Sequence, residues 1–568
     1  MSQPQTLLDL LAGKEMTQAV QSSPFYQAVM SQPKTKELVN AIRFLETSLE
    51  TDWRTGLARL VGGGITLAAC PQDTLVAVVD ARDEQILQKL HEVLLNIVHA
   101  QAQQQNRPDK VDSREYAGVT AWTLDGKEGH ALVGKRLLFA SRAKGLKTVL
   151  DLACHVPAGT SAERAKGVAA DGSLGASPAF LAAQKTVSPQ AAASLFVNLK
   201  PLLAVTGLGK ALEKQRTNPL AALAFAGVVE SLRDSNWLSL DLRVEDGLPS
   251  KTGQDARGTT LVLRALTDGR VAGAADPAAF AVPPAGEGAW PNLAVPRRLA
   301  ALSLYRDLHA FYAAKDTLFP ERTSGLIFFE NMMGIFFTGR DLTTEVLAEI
   351  EPQVRIVVAQ PPAESAGGVS AAPIPAFAAV LRLRHPERFG KVVEEAWQKA
   401  IGLVNFTRGQ KAQPGLIIDR PVYRDTKYTV AYFSAADAND GTGADPSLTV
   451  RPTLAMPGSY LILSSAEGLA RDLIDALDRE ASAKVAPVAG THSLLEIDGG
   501  QVAAVLSANR ESLIRGDMVK KGKSRPESEA GIDMFIALVG LLDRAKLRLG
   551  ADPGLTQATL AVTLNLPK

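Results

Sequence analysis

The sequence is poor in cysteine. It has two cysteines, Cys70 and Cys154, in 568 residues, which is too few for a disulfide framework. Cys70 ends an apolar run and Cys154 follows a predicted helix, so both are interpreted as small core residues. His155 comes directly after Cys154, but adjacent side chains on one segment point apart. This disfavours a catalytic thiol–imidazole pair.

The sequence also lacks an excess of either charge. It has 61 Lys and Arg residues against 60 Asp and Glu residues, for a formal net charge of +1. A surface that binds nucleic acid needs a surplus of basic residues on one face. The composition therefore argues against nucleic acid as a partner, and it gives no support for docking on an anionic membrane surface.

Long apolar runs are missing as well. A membrane-spanning helix needs about 18 or more apolar residues in a row, and the longest contenders here are 220–229, which is too short, and 61–79, which Pro71 and Asp73 interrupt. Residues 1–11 lack a basic leader followed by an unbroken apolar core, so they do not predict a signal peptide. As written, the sequence predicts a soluble chain with no transmembrane segment.

Motifs for catalysis, cofactors and metals are sparse. The sequence has no Cys-x-x-Cys, no His-Glu-x-x-His, no Walker loop and no Gly-x-Ser-x-Gly, and no cofactor is predicted. The best metal candidate is a glycine-containing loop in which Asp437, Asp440 and Asp445 could surround calcium. That loop has no bidentate glutamate at the required spacing, so a solvated turn is favoured. His91 and His99 have no metal-ligating partner at helical spacing, and solvated or capping histidines are favoured there.

What the sequence does contain is a strand–helix step that occurs twice. The first copy is the apolar run 74–82, followed by an amphipathic helix, and the second is the run 376–384, followed by another. The copies align without a gap, with Val79 opposite Leu381. An apolar strand that enters an amphipathic helix is a packing unit, so this step predicts architecture and not a site.

Other matched segments follow the strand–helix step in the same order along both halves. They are 64–68 with 334–338, 121–122 with 431–432, 134–141 with 458–465, 195–199 with 493–497, and 260–263 with 559–562. A collinear series of this kind predicts an internal duplication.

The two halves predict an α+β fold with two similar lobes, each a mainly antiparallel sheet covered by helices. Residues 1–267 form the first predicted lobe, 268–296 a Pro-, Ala- and Gly-rich linker, and 297–568 the second lobe. Within the lobes, the Asp125-Gly126 pair predicts a hairpin whose return strand is 130–141, and residues 297–322 are predicted to be helical.

The stretch from Leu60 through the first strand–helix step, with 116–118, 134–141 and 194–199, resembles an uncharacterised bacterial family, domain of unknown function 3352. The resemblance implies a long α+β protein, often with an export signal or lipid anchor, in the periplasm or associated with the envelope. This sequence departs from that pattern because it lacks the export signal. The family contributes no catalytic residues.

The duplication and the absence of any polar constellation at matching positions favour a non-catalytic binding or structural protein, since two lobes create a cleft. The resemblance implies that this protein belongs to the bacterial cell envelope. The alternatives are an enzyme whose cleft site is assembled from distant residues, an envelope interaction module, and a carrier of a small apolar ligand between the lobes. A protein partner is also open. An apolar cluster motivates the carrier, although buried core is the favoured explanation for it. It consists of Phe328, Phe329, Met332, Met333, Phe336 and Phe337.

Overall fold

A computed structural model describes most of the chain. The described residues are 33–70, 74–104, 111–124, 126–154, 174–205, 209–212, 228–249, 257–269, 281–360, 375–433, 450–552 and 555–565, with Tyr26, Met30, Asn218, Pro219, Ala222 and Leu223. The chain divides into two compact units. Unit 1 contains residues 1–177, 188–193 and 566–568, and unit 2 contains 178–187 and 194–565.

Unit 1 is a six-stranded antiparallel sheet with helices before, between and after its strands. The strand order is β1-β2-β6-β5-β4-β3. The described elements are α1 (Pro33–Leu49), α2 (Trp53–Val61), β1 (Gly64–Cys70), β2 (Thr74–Asp80), α3 (Glu84–Gln104), β3 (Val111–Tyr116), β4 (Val119–Leu124), β5 (Glu128–Val133), β6 (Arg136–Ala140) and α4 (Ala143–Cys154). The predicted first strand–helix step is thus β2 followed by α3.

The core of unit 1 lies between the sheet and α4. Val76 of β2 and Leu138 of β6 are buried against Leu146 and Leu150, which lie four residues apart and therefore on one face of α4. Burying a leucine side chain stabilises the fold by about 1.5–3 kcal/mol.

The predicted hairpin is part of a four-stranded meander. Gly126, with φ of 66°, forms the expected turn between β4 and β5, and Asp125 lies outside the described residues. The prediction of a single return strand over 130–141 is wrong, because the chain reverses between β5 and β6 at Gly134, with φ of 54°. A left-handed glycine lets a tight turn form between the apolar residues of β5 and those of β6.

Unit 2 is built on one large antiparallel sheet, with helices between its strands. Its first elements are α5 (Pro178–Gln184), β7 (Ala193–Asn198), α6 (Leu199–Val205), α7 (Val228–Asp234), β8 (Trp237–Pro249), β9 (Arg257–Thr267), β10 (Gly288–Ala289), β11 (Arg298–Tyr305), α8 (Leu308–Ala313), α9 (Lys315–Leu318) and α10 (Thr323–Phe336). The later ones are β12 (Ile350–Ala359), β13 (Ala376–Leu383), α11 (Pro386–Gly409), β14 (Ile417–Asp419), β15 (Val422–Tyr423), β16 (Thr426–Tyr432), β17 (Thr453–Ala455), β18 (Tyr460–Ser464), α12 (Glu467–Ser482), β19 (Val488–Ala489), β20 (Thr491–Asp498), α13 (Gly499–Ala508), α14 (Arg510–Lys521), α15 (Arg525–Gly540), β21 (Leu542–Asp552) and β22 (Leu555–Leu564).

The main sheet of unit 2 runs in the order β14-β16-β17-β18-β13-β12-β11-β20-β21-β22-β9-β8-β7, and β15 pairs with β16 off this path. Helix α12 covers β13 and β18 through Leu473 and Leu477, which are buried with Val380 and Ile462 in the largest apolar core. The second predicted strand–helix step is β13 followed by α11. The fold is therefore mixed α and β with large antiparallel sheets.

The boundary between units differs from the predicted linker at 268–296. Strand β9 pairs along its length with β22, so residues up to Thr267 belong to unit 2. The described part of the predicted linker is also packed. Ala281, Ala289 and Leu293 are buried, and β10 pairs with β19.

Two local predictions in this region are wrong. Residues 298–305, predicted to be helical, form β11, whose side chains alternate between buried and half-buried. Residues 334–336, predicted to match β1, instead end helix α10. Short apolar runs carry no period that separates a strand from a helix, so both errors have the same cause.

Candidate functional site

A polar cavity of about 400 Å³ lies in unit 2, where β20 ends and β11 and β21 begin. The three strands are neighbours in the sheet, so residues far apart in sequence meet at one edge of the cavity. The lining residues are Asn292, Ala294, Val295, Arg297, Arg298, Glu496, Asp498, Gln501 and Arg544. Most of this lining is charged.

Glu496 is the central acceptor of the cavity wall. Its carboxylate lies 2.8 Å from Nη2 of Arg298, 3.2 Å from Nε of Arg544 and 3.8 Å from Nζ of Lys546. One negative charge is therefore surrounded by three positive charges. The surplus leaves a positive potential in a partly buried site, where screening by water and salt is weak.

Arg298 is the most firmly held of the arginines. The residue is buried, and its Nη1 donates a hydrogen bond to the carbonyl of Leu293 at 2.8 Å while Nη2 pairs with Glu496. A guanidinium fixed by two partners loses little further freedom when a ligand binds. Arg298 is therefore preorganised.

Arg297 brings a second guanidinium to the same wall. Its backbone has φ of 52°, a left-handed conformation that costs a non-glycine residue about 1–2 kcal/mol. Its Nε donates to the carbonyl of Gln360 at 3.1 Å, and its Nη2 lies 3.6 Å from the carboxylate of Asp472. Burial raises the pKa of Asp472, and the charge of Arg297 opposes that rise. Local strain of this kind concentrates at functional sites.

Arg544 is the arginine with unused hydrogen-bond donors. Its Nε is buried and close to Glu496, but the N–H does not point at that carboxylate and makes no hydrogen bond. Among the described residues, no hydrogen-bond acceptor takes its other N–H groups. A buried donor without an acceptor costs about 1–3 kcal/mol. The Nε atom has almost no accessible surface, so a ligand in the cavity would instead be bound by the Nη groups, as an acceptor of charge-assisted hydrogen bonds.

The first turn of helix α13 adds to the positive character of the cavity. Asp498 caps this helix by accepting a hydrogen bond from the Gln501 amide at 3.1 Å, and both residues line the cavity. The N-terminus of a helix carries a partial positive charge of roughly half a unit. The cavity is thus suited to an anionic group and unsuited to a cation.

Unit 1 contains a histidine pair that the sequence did not reveal. His91 of α3 is buried, and its Nε2 lies 3.0 Å from Nε2 of His130 on β5. The indole of Trp122 stacks on His130 at 5.6 Å between ring centroids and contacts His91 at 4.4 Å. The prediction of a solvated or capping role for His91 is therefore wrong, because its partner comes from a strand far away in sequence.

Burial removes water from both imidazoles. It lowers the pKa of His130 to about 4, with a smaller contribution from the charge of His91. It also lowers the pKa of His91, against the opposing effect of Glu92. Both rings are neutral at pH 7, and one can donate its Nε2 hydrogen to the other. The described residues contain no cluster of three or more metal-ligating side chains.

The remaining predicted candidates lie almost entirely outside the described residues. Asp437, Asp440 and Asp445 lie outside the described residues, as does His155, while Cys154 ends α4. These positions thus remain predictions only.

The apolar cluster on α10 is divided between core and surface. Met333 and Phe337 pack against the core that contains Tyr312 and Leu342. Phe328 is 71% exposed, and other exposed apolar residues beside it are Ile327, Phe329, Met332 and Ile335. The prediction of a buried run is therefore wrong for the outer face of this helix.

Comparison with family models, curated proteins and solved structures finds no match. Among the helices in the described part of the chain, none combines the length and apolar character needed to cross a membrane.

Proposed function

We propose that this chain is a non-catalytic binding protein whose unit 2 cavity takes the carboxylate or phosphate group of a small ligand. The observation that carries the proposal is Arg544, which lines the cavity and whose Nη groups make no hydrogen bond to a described residue. Arg297 and Arg298 stand on the same wall. The lining residues comprise three guanidinium groups and two carboxylates, and Asp472 pairs with Arg297 from outside the lining.

The ligand class follows from guanidinium geometry. Arginine presents parallel N–H groups that match the two oxygens of a carboxylate or phosphate. Hydrogen bonds to a charged group contribute about 1.5–3 kcal/mol each. A volume of about 400 Å³ admits a ligand of small-metabolite size.

A binding role fits the chemistry of the lining better than catalysis does. Arginine stays protonated at neutral pH and transfers no proton. Glu496 is neutralised by its three basic neighbours, and Asp498 caps α13. The resemblance to an envelope family supports a place in the bacterial cell envelope, and this part of the proposal rests on that resemblance alone.

Titration calorimetry tests the cavity with inorganic phosphate, succinate and glycerol 3-phosphate as probes. We expect at least one probe to bind wild-type protein, and Arg544→Gln to weaken that binding roughly tenfold to hundredfold. Arg548→Gln is the matched control, because Arg548 lies on the same strand and bonds to Thr491 outside the cavity. Equal weakening by both variants, or no binding of any probe at millimolar concentration, would refute the proposal.

We also infer that the chain contains an internal duplication. The strand order β1-β2-β6-β5-β4-β3 has a parallel in β12-β13-β18-β17-β16-β14. The register agrees too, since Val76 pairs with Ala140 in one sheet and Ala378 with Ser464 in the other. Helix N-caps also correspond. Asp52 caps α2 by accepting from the Thr55 amide, and Asp341 caps the short helical segment Leu342–Val346 by accepting from the Thr344 amide.

An apolar partner is a second candidate ligand, favoured by the outer face of α10. Phe328 and Ile335 are 71% and 69% exposed, although exposed aromatic and aliphatic side chains on one helix face are costly in water. We expect Phe328→Ser to reduce binding of a fluorescent apolar probe. Val519→Ser, on the exposed surface of α14, is the control, and an equal reduction in both would argue against this site.

A further inference from the structure

Strand β1 is an edge of the unit 1 sheet. It pairs with β2 from Gly64 to Cys70, and no other described strand pairs with its outer side. Its side chains Ile65 and Leu67 are 56% and 74% exposed, and Leu75 on the neighbouring strand is exposed beside them. An edge of this kind carries a row of unpaired backbone N–H and C=O groups and is a template for another strand.

The corresponding edge in unit 2 is covered. Val79 pairs with Ile65 in β1, and Leu381, which aligns with Val79, pairs with Val354 in β12. Strand β12 thus occupies the position of β1. Its outer side pairs with β11 over seven residue pairs, from Arg298 to Tyr305. The architecture therefore accommodates a further strand at this position.

The sequence of β1 has no charged residue or proline that would prevent this edge from pairing with another strand. Gly64–Cys70 contains no charged residue and no proline, whereas protected edges carry lysine, proline or bulges. The strand is also self-complementary. In an antiparallel pair centred on Leu67, Leu67 faces Leu67 of the second copy and Ile65 faces Ala69, so apolar side chains meet on one face.

We propose that β1 pairs antiparallel with β1 of a second copy of this chain, around a two-fold axis at Leu67. The pairing joins two six-stranded sheets into one continuous sheet and brings the exposed Ile65 and Leu67 side chains of the two copies together. The two-fold arrangement is isologous, so every contact is made twice.

The alternative occupant of the outer side of β1 is the chain's own N-terminal segment. In unit 2 the strand that pairs with the outer side of β12 is β11, which directly precedes it in sequence. Residues 1–24 contain no run in which apolar and polar residues alternate over a strand length, unlike the alternation of β11. Their leucines are grouped as Leu7-Leu8 and Leu10-Leu11. This composition favours a second copy over the N-terminal segment.

Light scattering during size-exclusion chromatography of the full chain tests the proposal. At a protein concentration on the order of 100 μM we expect twice the monomer mass of 60.2 kDa. Dilution should dissociate this dimer. Leu67→Lys places two like charges opposite each other and should raise the dissociation constant at least roughly tenfold. Val519→Lys, at an exposed position on α14, should leave the mass unchanged.

Cysteine crosslinking tests the register in a background where Cys70 and Cys154 are changed to Ser. Leu67→Cys faces the same substituted position of the second copy and should give a disulfide-linked dimer, whereas Thr66→Cys faces Ala68 and should not.

Hydrogen exchange of the β1 backbone amides in the monomer completes the test. A monomer at all concentrations would overturn the proposal. So would protection, in the monomer, of the outward β1 amides that do not bond to β2, and that second result would assign the edge to the N-terminal segment.

Discussion

Val262 of β9 lies directly opposite Ala561 of β22. The same two residues are equivalent when 260–263 is aligned with 559–562. A residue that faces its own counterpart in an antiparallel pair marks a local two-fold axis. Under the proposed duplication, the two halves of the sequence meet at this residue pair.

The β9·β22 pairing predicts a specific crosslink. Directly opposed residues of an antiparallel pair have Cβ atoms about 4.5–5.5 Å apart, which small adjustments bring within disulfide range. We expect Val262→Cys with Ala561→Cys, in a chain whose native cysteines are changed to Ser, to form an intramolecular disulfide. Non-reducing electrophoresis after proteolysis between residues 270 and 280 would show the fragments still joined.

The control for this crosslink shifts one cysteine by a single residue. Leu263→Cys with Ala561→Cys puts the two thiols on opposite faces of the sheet, because side chains alternate along a strand. That variant should remain uncrosslinked. Equal crosslinking in both variants would contradict the register.

Arg306 predicts a large effect on the stability of unit 2. The side chain is 2% exposed and donates to the carbonyls of Leu223, Tyr305 and His492 and to Oγ of Ser493. Arg306→Met would leave these acceptors without their donor and should lower the free energy of unfolding by about 3 kcal/mol. Arg515→Met, on the exposed surface of α14, should change it by less than about 0.5 kcal/mol. Urea unfolding monitored by circular dichroism measures both.

The His91–His130 pair predicts a pH dependence for unit 1. His130 has a pKa lowered to about 4 in the folded chain, whereas an unfolded histidine has a pKa near 6.5. The unfolded state therefore binds more protons below about pH 6.5, and stability falls as the pH drops from there towards 4. Above pH 6.5 this group contributes no pH dependence.

His130→Gln removes one of the titrating groups and should flatten that decline. Urea midpoints at several pH values between 7.5 and 4.5 give the comparison, and the fluorescence of Trp122 reports locally because its ring stacks on His130. A variant whose midpoints follow the same slope as wild-type protein would exclude His130 as the source.

The sequence predicted the elements whose apolar pattern is long enough to show a period. Helix α3, α11 and the strands that precede them are confirmed, because amphipathic helices of over twenty residues are unambiguous. Strand β11 was missed because the alternation in Arg298–Tyr305 is blurred by alanines. Gly134 was also missed as a turn, because apolar residues lie on both sides of the short segment 134–136.

The candidate site could not be predicted from spacing. Arg298, Glu496 and Arg544 lie far apart in sequence, and only the adjacency of β11, β20 and β21 brings them together. The His91–His130 contact has the same origin, since α3 and β5 meet only in the folded unit. Sequence patterns report local periodicity, whereas these contacts depend on the order of strands in a sheet.

The antiparallel pairing of β9 with β22 also bears on how the gene can be dissected. A chain that ends after Thr267 would lack β22, the partner of β9. A chain that begins at residue 297 would lack β9, the partner of β22. Each product would expose the unpaired edge of a long, mostly aliphatic strand and would be prone to aggregate. Expression trials should instead place the fragment boundary near residue 177, which keeps the β9·β22 pairing intact.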